Sequence, residues 1–346
     1  MPSKSKKKKE ISWFEKYEFP ISLFSFIVFL FLIGFLFGGQ EKIQCGDSTF
    51  YGSCSITKPY YCEQGILIEK APVCGCGELS RIDGNSCITD LQTEPKNIQL
   101  QYLLDGEEKT LDFTVYQGLS DYVSDLPRSI SYSNGEKPVR ADFKFKVLDE
   151  EKQRELLLPL VVAIQNLTKD KEEQARIAIS LVQNIEFGFS EKKGPAHGVN
   201  YSRYPYEVLY DIRGICGEKS ELLTFLLREL GYGTAIFYNQ PENHESVGIK
   251  CPVEESYKGT GYCFVETTGP SIITDDSIEY VGGIVLESEP EIILISDGYS
   301  LPQGLQEYRD AELMERMRQG KFVPFRNFEL KRLKERYGLV EVYYPD

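Results

Sequence analysis

Cys216, His244 and Glu266 are the residues of this chain whose types and order could carry nucleophilic chemistry. Cys216 lies in "RGICGEKSELLTFLLRELGYG", residues 213–233, flanked by Gly214 and Gly217 at the start of an apolar helical pattern. A thiolate is a strong nucleophile, and a helix N-terminus favours it through the dipole and unbonded N–H groups. Such a nucleophile needs a base, and the base needs a group that orients it. The chain has two histidines, His197 and His244. His197 sits in "GPAHGVN", a stretch without periodicity, whereas His244 opens "HESVGIK", which reads as a strand. Glu266, in "YCFVETT", alternates with Tyr262 and Phe264, and a lone acid among apolar strand residues is unusual. Each residue alone has a blander reading. A single Cys is often a small buried residue, a lone His a satisfied structural one, a strand Glu a solvated one. Their order joins them: a helix, then the next-but-one strand, then the strand after it. Gly214 and Gly217 would leave room for a substrate backbone.

The other cysteines support a free thiol at position 216. Nine are present, and six crowd into residues 45–87. So short a stretch cannot build much of a core, and three disulfides would hold it; fifteen pairings are open. Zinc is the weaker reading, because the one close pair is C-x-C rather than two C-x-x-C knuckles. Cys251 and Cys263 bracket "CPVEESYKGTGYC", a loop between strands that a disulfide could close. Cys216 is then left over, as a reactive thiol or an intermolecular partner. Its pairing with Cys251 or Cys263 would end the enzymatic reading.

The elements that must position these residues follow from periodicity. "IQLQYLL", "KTLDFTVY" and "ADFKFKVL" alternate as strands and are separated by "DGEE" and "NGEKP" turns. "EKQRELLLPLVVAIQNL" reads as a helix, and so does "DKEEQARIAISLVQNI", with Asp170 and Glu173 spaced as a capping box. Ala178, Leu181, Val182 and Ile185 make its apolar face. Residues 187–212 read as loop. In the helix after Cys216, Leu222, Leu223, Leu226, Leu227 and Leu230 form one stripe and Gly231 supplies the stop. "TAIFYN", "HESVGIK", "YCFVETT" and "PEIILIS" read as strands, and "LQEYRDAELMERMRQ" and "FELKRLKERYG" as helices.

Charge bounds the partners. The net charge is −14, although residues 1–18 carry six Lys against three Glu. The remainder is more acidic still and would repel a phosphate backbone, so no nucleic-acid partner is expected. Residues 19–40, "FPISLFSFIVFLFLIGFLFGGQ", hold no charge. As a helix they would rise roughly 33 Å, enough for a hydrocarbon core of ~30 Å. They read as a single transmembrane helix inserted in the lipid bilayer, with the Lys-rich end cytoplasmic and residues 41–346 outside the cell; a cleaved signal is the alternative. Outside the cell, Asn166 and Asn200, both in N-x-S/T sequons, could carry glycans.

Residues from about 150 to 270 resemble the transglutaminase-like superfamily of papain-like fold. The resemblance rests on "YEVLYDIRGICGEKSELLTFLLRELGY", "HESVGI" and "YCFVETTGP", with the "KDKEEQARIAISLVQNIEF" helix upstream. It implies an α+β domain in which the helix carrying the Cys packs on an antiparallel sheet. It also implies Cys216 as nucleophile, His244 as general base and acid, and Glu266 as orienting residue. The last position is more often Asp in the family, and Glu245 and Ser246 stand where an aromatic is common. Tyr204, Tyr206 and Asn200 are candidate lining residues. The implied reaction is acyl transfer on a protein or peptide substrate, with no metal and no organic cofactor. Microbial members of this plan resemble hydrolases more than cross-linkers, which puts peptide or amide hydrolysis first. Transglutaminase-type cross-linking, or an inactive surface binding module, are the alternatives. The expected organisation is a basic tail (1–18), a transmembrane helix (19–40), a cysteine-rich disulfide module (41–92), a β-rich segment (93–147), the transglutaminase-like domain (148–300) and a helical tail (301–346).

Overall fold

The "DG" at residues 105–106 is the most local determinant of the fold, because a two-residue hairpin turn of the primed type needs positive φ at both positions. Asp105 and Gly106 have φ of 52° and 81°, and they join two ten-residue antiparallel strands. The computed structural model describes residues 43–133, 135, 137–190, 201–277 and 285–339. The described residues from Gln44 onward fall in one compact unit.

In chain order the elements are β1 (Tyr60–Glu63), β2 (Ile66–Glu69), α1 (Ala71–Cys74), β3 (Arg81–Asp83), β4 (Ser86–Ile88), β5 (Pro95–Leu104), β6 (Glu107–Tyr116), α2 (Gln117–Asp125), α3 (Arg140–Leu148), α4 (Glu151–Leu167), α5 (Lys171–Gln183), β7 (Glu186–Phe187), α6 (Pro205–Asp211), β8 (Arg213–Gly214) and α7 (Cys216–Glu229). Then follow β9 (Thr234–Asn239), β10 (His244–Lys250), β11 (Tyr262–Val265), β12 (Glu291–Ser296), α8 (Gln306–Arg318) and α9 (Arg326–Tyr337). The main sheet is antiparallel, in the order β11-β10-β9-β12. Ile236, Val247 and Val265 lie side by side in its register and share a core with the leucine stripe of α7. Phe237 and Phe264 belong to a second core, with Met314 and Met317 of α8 and Leu333 of α9. The sheet thus has helices on both faces, and the chain is α+β.

Two expectations of local structure are corrected. "ADFKFKVL" is helix, not strand: Asp142 accepts the Val139 N–H at 2.8 Å, and Lys144 and Leu148, one turn apart, are the residues turned inward. Eight residues of alternation do not separate a strand from a helix whose buried positions fall at i and i+4. Part of the expected loop 187–212 is α6, opened by Pro205 in its first turn and by Glu207 accepting the Tyr204 N–H at 2.9 Å. Asp170 does cap α5, accepting the Glu173 N–H at 2.9 Å, but Glu173 bonds the Thr168 hydroxyl rather than closing a reciprocal box.

The transmembrane helix and the single-pass localisation are also corrected. No helix among the described residues is long and apolar enough to cross a membrane. The longest, α4, has 17 residues and four charged ones in its first turns, a rise of about 26 Å against the ~30 Å required. Residues 19–40, where the span was expected, lie outside the described residues, as does the basic tail. Among the described residues the fold is therefore α+β, and none of its helices crosses a membrane.

Four disulfides join Cys45–Cys62, Cys54–Cys74, Cys76–Cys87 and Cys251–Cys263, which fits an oxidising compartment. The cysteine-rich module is packed on the helices. A Cβ on Gly46 would lie 1.9 Å from the Gln165 carbonyl oxygen of α4. The Gly46 carbonyl accepts from Gln174 Nε2 at 2.8 Å and Lys171 Nζ at 3.1 Å. Gly46→Ala is therefore expected to cost at least ~1–3 kcal/mol, read as a lower midpoint in thermal unfolding; an unchanged midpoint would mean that this contact is dispensable. Asn166 bonds the Leu67 backbone in both directions, at 2.8 and 2.9 Å, so its amide is engaged in docking the module. Asn200 lies outside the described residues.

Candidate active site

Cys216 is the first residue of α7, and the local sequence explains why the helix starts there. Glu218, at the third helical position, accepts the N–H of the capping residue Ile215 at 3.0 Å, the reciprocal half of a capping box. Arg203 is pinned to the same carboxylate, through its N–H at 2.8 Å and its guanidinium at 3.1 Å. The stripe Leu222, Leu223, Leu226, Leu227 and Leu230 is buried, and Gly231 ends the helix with a φ of 97°. The space left by the two glycines is used by the protein itself. Gly214 packs on Lys219 and Val208, and a Cβ on Gly217 would lie 2.7 Å from Glu245 Oε2.

Cys216 is the one described cysteine outside a disulfide, and it is partly exposed. Its thiol lies beside the His244 ring, close enough to act on that ring's charge. His244 is the first residue of β10, 5% exposed, and its Nε2 stands 2.8 Å from Glu266 Oε2. Strand β11 ends at Val265, and Glu266 begins the turn that leaves the sheet. The other carboxylate oxygen, Oε1, accepts the Thr268 N–H at 2.7 Å and the Thr268 hydroxyl at 2.6 Å. The turn is tied to the helix as well: Thr267 Oγ1 donates to the Cys216 carbonyl at 3.4 Å and lies 3.1 Å from Ser220 Oγ.

The electrostatics follow from burial and this wiring. Burial alone would lower the pKa of His244; the Glu266 carboxylate and the contact with Cys216 outweigh it and push it up to about 10. Burial alone would raise Glu266; His244 and the two bonds from Thr268 outweigh it and hold the carboxyl below the usual range. Imidazolium and carboxylate are therefore both the charged forms at neutral pH. The N–H of Cys216, at the first helical position, has no intrahelical acceptor and can serve as an oxyanion donor.

The structure brings together Cys216, His244 and Glu266. His197 and Asn200 lie outside the described residues. Tyr206 is structural: its hydroxyl accepts the Tyr116 N–H at 2.7 Å. Tyr204 lines a cleft of about 450 Å³ with Arg128, Arg140, Lys146 and Glu221. Sequence reasoning missed Gln183, Lys219 and Thr268, which hold the Glu266 turn. Lys219 carries a signal in retrospect, because it precedes Leu222 and Leu223 by three and four residues and so falls on the buried stripe of α7. No cluster of three or more His, Cys, Asp or Glu placed to hold a metal occurs among the described residues.

By sequence, the chain matches no protein-family model and no curated protein. Among solved structures it is similar to calcium-bound LapG of Legionella pneumophila, with 14% identity, a TM-score of 0.24, and coverage of 52% of this chain and 99% of that one. A likeness that loose carries no argument about the site, and the functional reading rests on the geometry above.

Proposed function

We propose that this chain is a transglutaminase-like thiol enzyme that hydrolyses peptide or amide bonds by acyl transfer through Cys216, His244 and Glu266. The observation that carries the reading is the continuous line of contacts from an unpaired, partly exposed thiol to His244 and on to a buried carboxylate. Cys216 attacks the carbonyl carbon as the thiolate of a thiolate–imidazolium pair, and the carbonyl π pair moves onto oxygen, towards the Cys216 N–H. His244, already an imidazolium, acts first as an acid. It gives its proton to the leaving amine as the C–N bond breaks and a thioester forms. The now neutral ring takes a proton from water, the hydroxide oxygen bonds the acyl carbon, and the thiolate leaves as the carboxylic acid is released. Glu266 keeps the ring aligned and charged in the resting state. An amine in place of water would give cross-linking by the same steps.

The test is alkylation of the full-length protein by iodoacetamide without reductant, mapped by mass spectrometry, followed by incubation with mixed peptides with and without cadaverine. Rapid labelling at Cys216 and new peptide termini, both absent in Cys216→Ala, are expected. Cadaverine adducts with loss of ammonia would move the reading to cross-linking. Labelling that appears only on denaturation would leave a binding module.

A further inference from the structure

We infer that Lys219 is a positioning residue for this site: it fastens the turn that carries Glu266 to the nucleophile's helix and so holds the carboxylate against His244. The inference rests on the proposed catalytic reading. Lys219 lies on α7, three residues after Cys216, and is 0% exposed. Its ammonium has three acceptors, all backbone carbonyls: Ile185 at 2.6 Å, Gln183 at 3.3 Å and Thr268 at 3.3 Å. The first two lie at and just beyond the end of α5, where helix carbonyls lack intrahelical donors. The third belongs to the residue whose N–H and hydroxyl hold Glu266 Oε1.

The side chain therefore joins the end of α5, the start of α7 and the Glu266 turn. Gln183 completes the clamp from α5, donating through Nε2 to the Glu266 carbonyl at 2.9 Å and to Ser271 Oγ at 3.1 Å. The backbone at Glu266 and two residues beyond it is thus fixed by neighbouring helices. Leu or Met would satisfy the helix stripe without the cost of burying a charge. An ammonium with three donors for three carbonyls fits a role that packing alone does not ask for. Burial pushes its pKa down to about 7, while Glu266, the charged group that faces it, pulls it up.

The experiment uses the full-length protein and reads His244 by NMR, which is practical because the chain has two histidines. The variants are Lys219→Met, which keeps the length and removes the donors, and Lys219→Gln, which keeps N–H donors. If Lys219 positions Glu266, Lys219→Met misaligns the carboxylate, and the His244 midpoint falls by about one unit or more. Lys219→Gln should fall between wild type and Met, and carries the test alone if the Met variant does not fold. A His244 midpoint that rises would mean that Lys219 acts only as a nearby positive charge. An unchanged midpoint would mean a merely structural residue. Either result overturns the inference. The His244 titration needs neither a substrate nor a reactive thiol, so a wild-type Cys216 that resists alkylation would sink the enzymatic reading and leave this one to be judged separately.

Discussion

Replacing His244 with Gln is expected to slow alkylation of Cys216 at pH 6 by tens of times to about a hundredfold, and to lower turnover by about 10²–10⁴-fold. Gln keeps an N–H donor for Glu266 Oε2, so the change removes the proton acceptor and donor rather than the buried partner of the carboxylate. Gln cannot carry the positive charge that the imidazolium places beside the sulfur. The pH dependence of stability gives a second check. The folded pKa of His244 is about 10, above its ordinary 6.5, so its contribution is complete below 6.5 and is lost as pH rises through about 10. Glu266 has the opposite sign: held below its ordinary 4.5, it contributes above 4.5 and loses that contribution as pH falls. Urea unfolding should therefore show the largest gap between wild type and His244→Gln between about pH 5 and 7, closing above pH 10. Equal alkylation rates in the two proteins, or a gap independent of pH, would remove the ion pair from the account.

What the sequence made legible here was local or arithmetical. The stripe of α7, the cap at Asp170 and the "DG" turn each depend on residues within a few positions of one another. Cysteine counting isolated Cys216 once the Cys251–Cys263 loop had been read as a hairpin closure. The membrane span drew on an uninterrupted apolar run that lies outside the described residues, and the described part has no helix to take its place. What escaped was set by partners far along the chain. The orientation of Glu266 depends on Gln183, 83 residues away, and on Lys219 through Thr268. Lys144 was assigned to a strand because Phe143 and Phe145 bracket it, whereas its conformation answers to Glu221 and Glu245, 77 and 101 residues away. Charged residues on apolar stripes are where periodicity under-reads, since the pattern registers them as interruptions although the fold spends them on tying elements together.

Lys144→Met carries the second large effect. Lys144 Nζ lies 2.7 Å from Glu221 Oε1 and 2.6 Å from Glu245 Oε2, with all three side chains nearly buried. Glu221 is on α7, just beyond the first turn after Cys216, and Glu245 is next to His244, so one ammonium ties the helix of Cys216 to the strand of His244. Burial alone would lower the pKa of Lys144; the two carboxylates outweigh it and raise it. Burial pushes Glu221 up to about 7, Lys144 pulling it down and Glu245 pushing it further up. Removing the ammonium leaves two facing carboxyls, with Arg140 still 3.4 Å from Glu245. Breaking such a buried network costs ~3–5 kcal/mol when one partner is deleted. The loss should depend on pH with a definite sign. Without Lys144, the folded state binds more protons near neutrality than the unfolded state does, so stability falls as pH rises. Urea unfolding should therefore show the full deficit at pH 8 and less of it at pH 5, where Glu221, pushed up by burial and by Glu245, takes a proton. An equal deficit at both values would assign the loss to packing of the side-chain stem. A deficit that shrinks at pH 5 while alkylation of Cys216 stays slow there would show that joining the helix to the strand, beyond neutralising two acids, is what Lys144 does for the site.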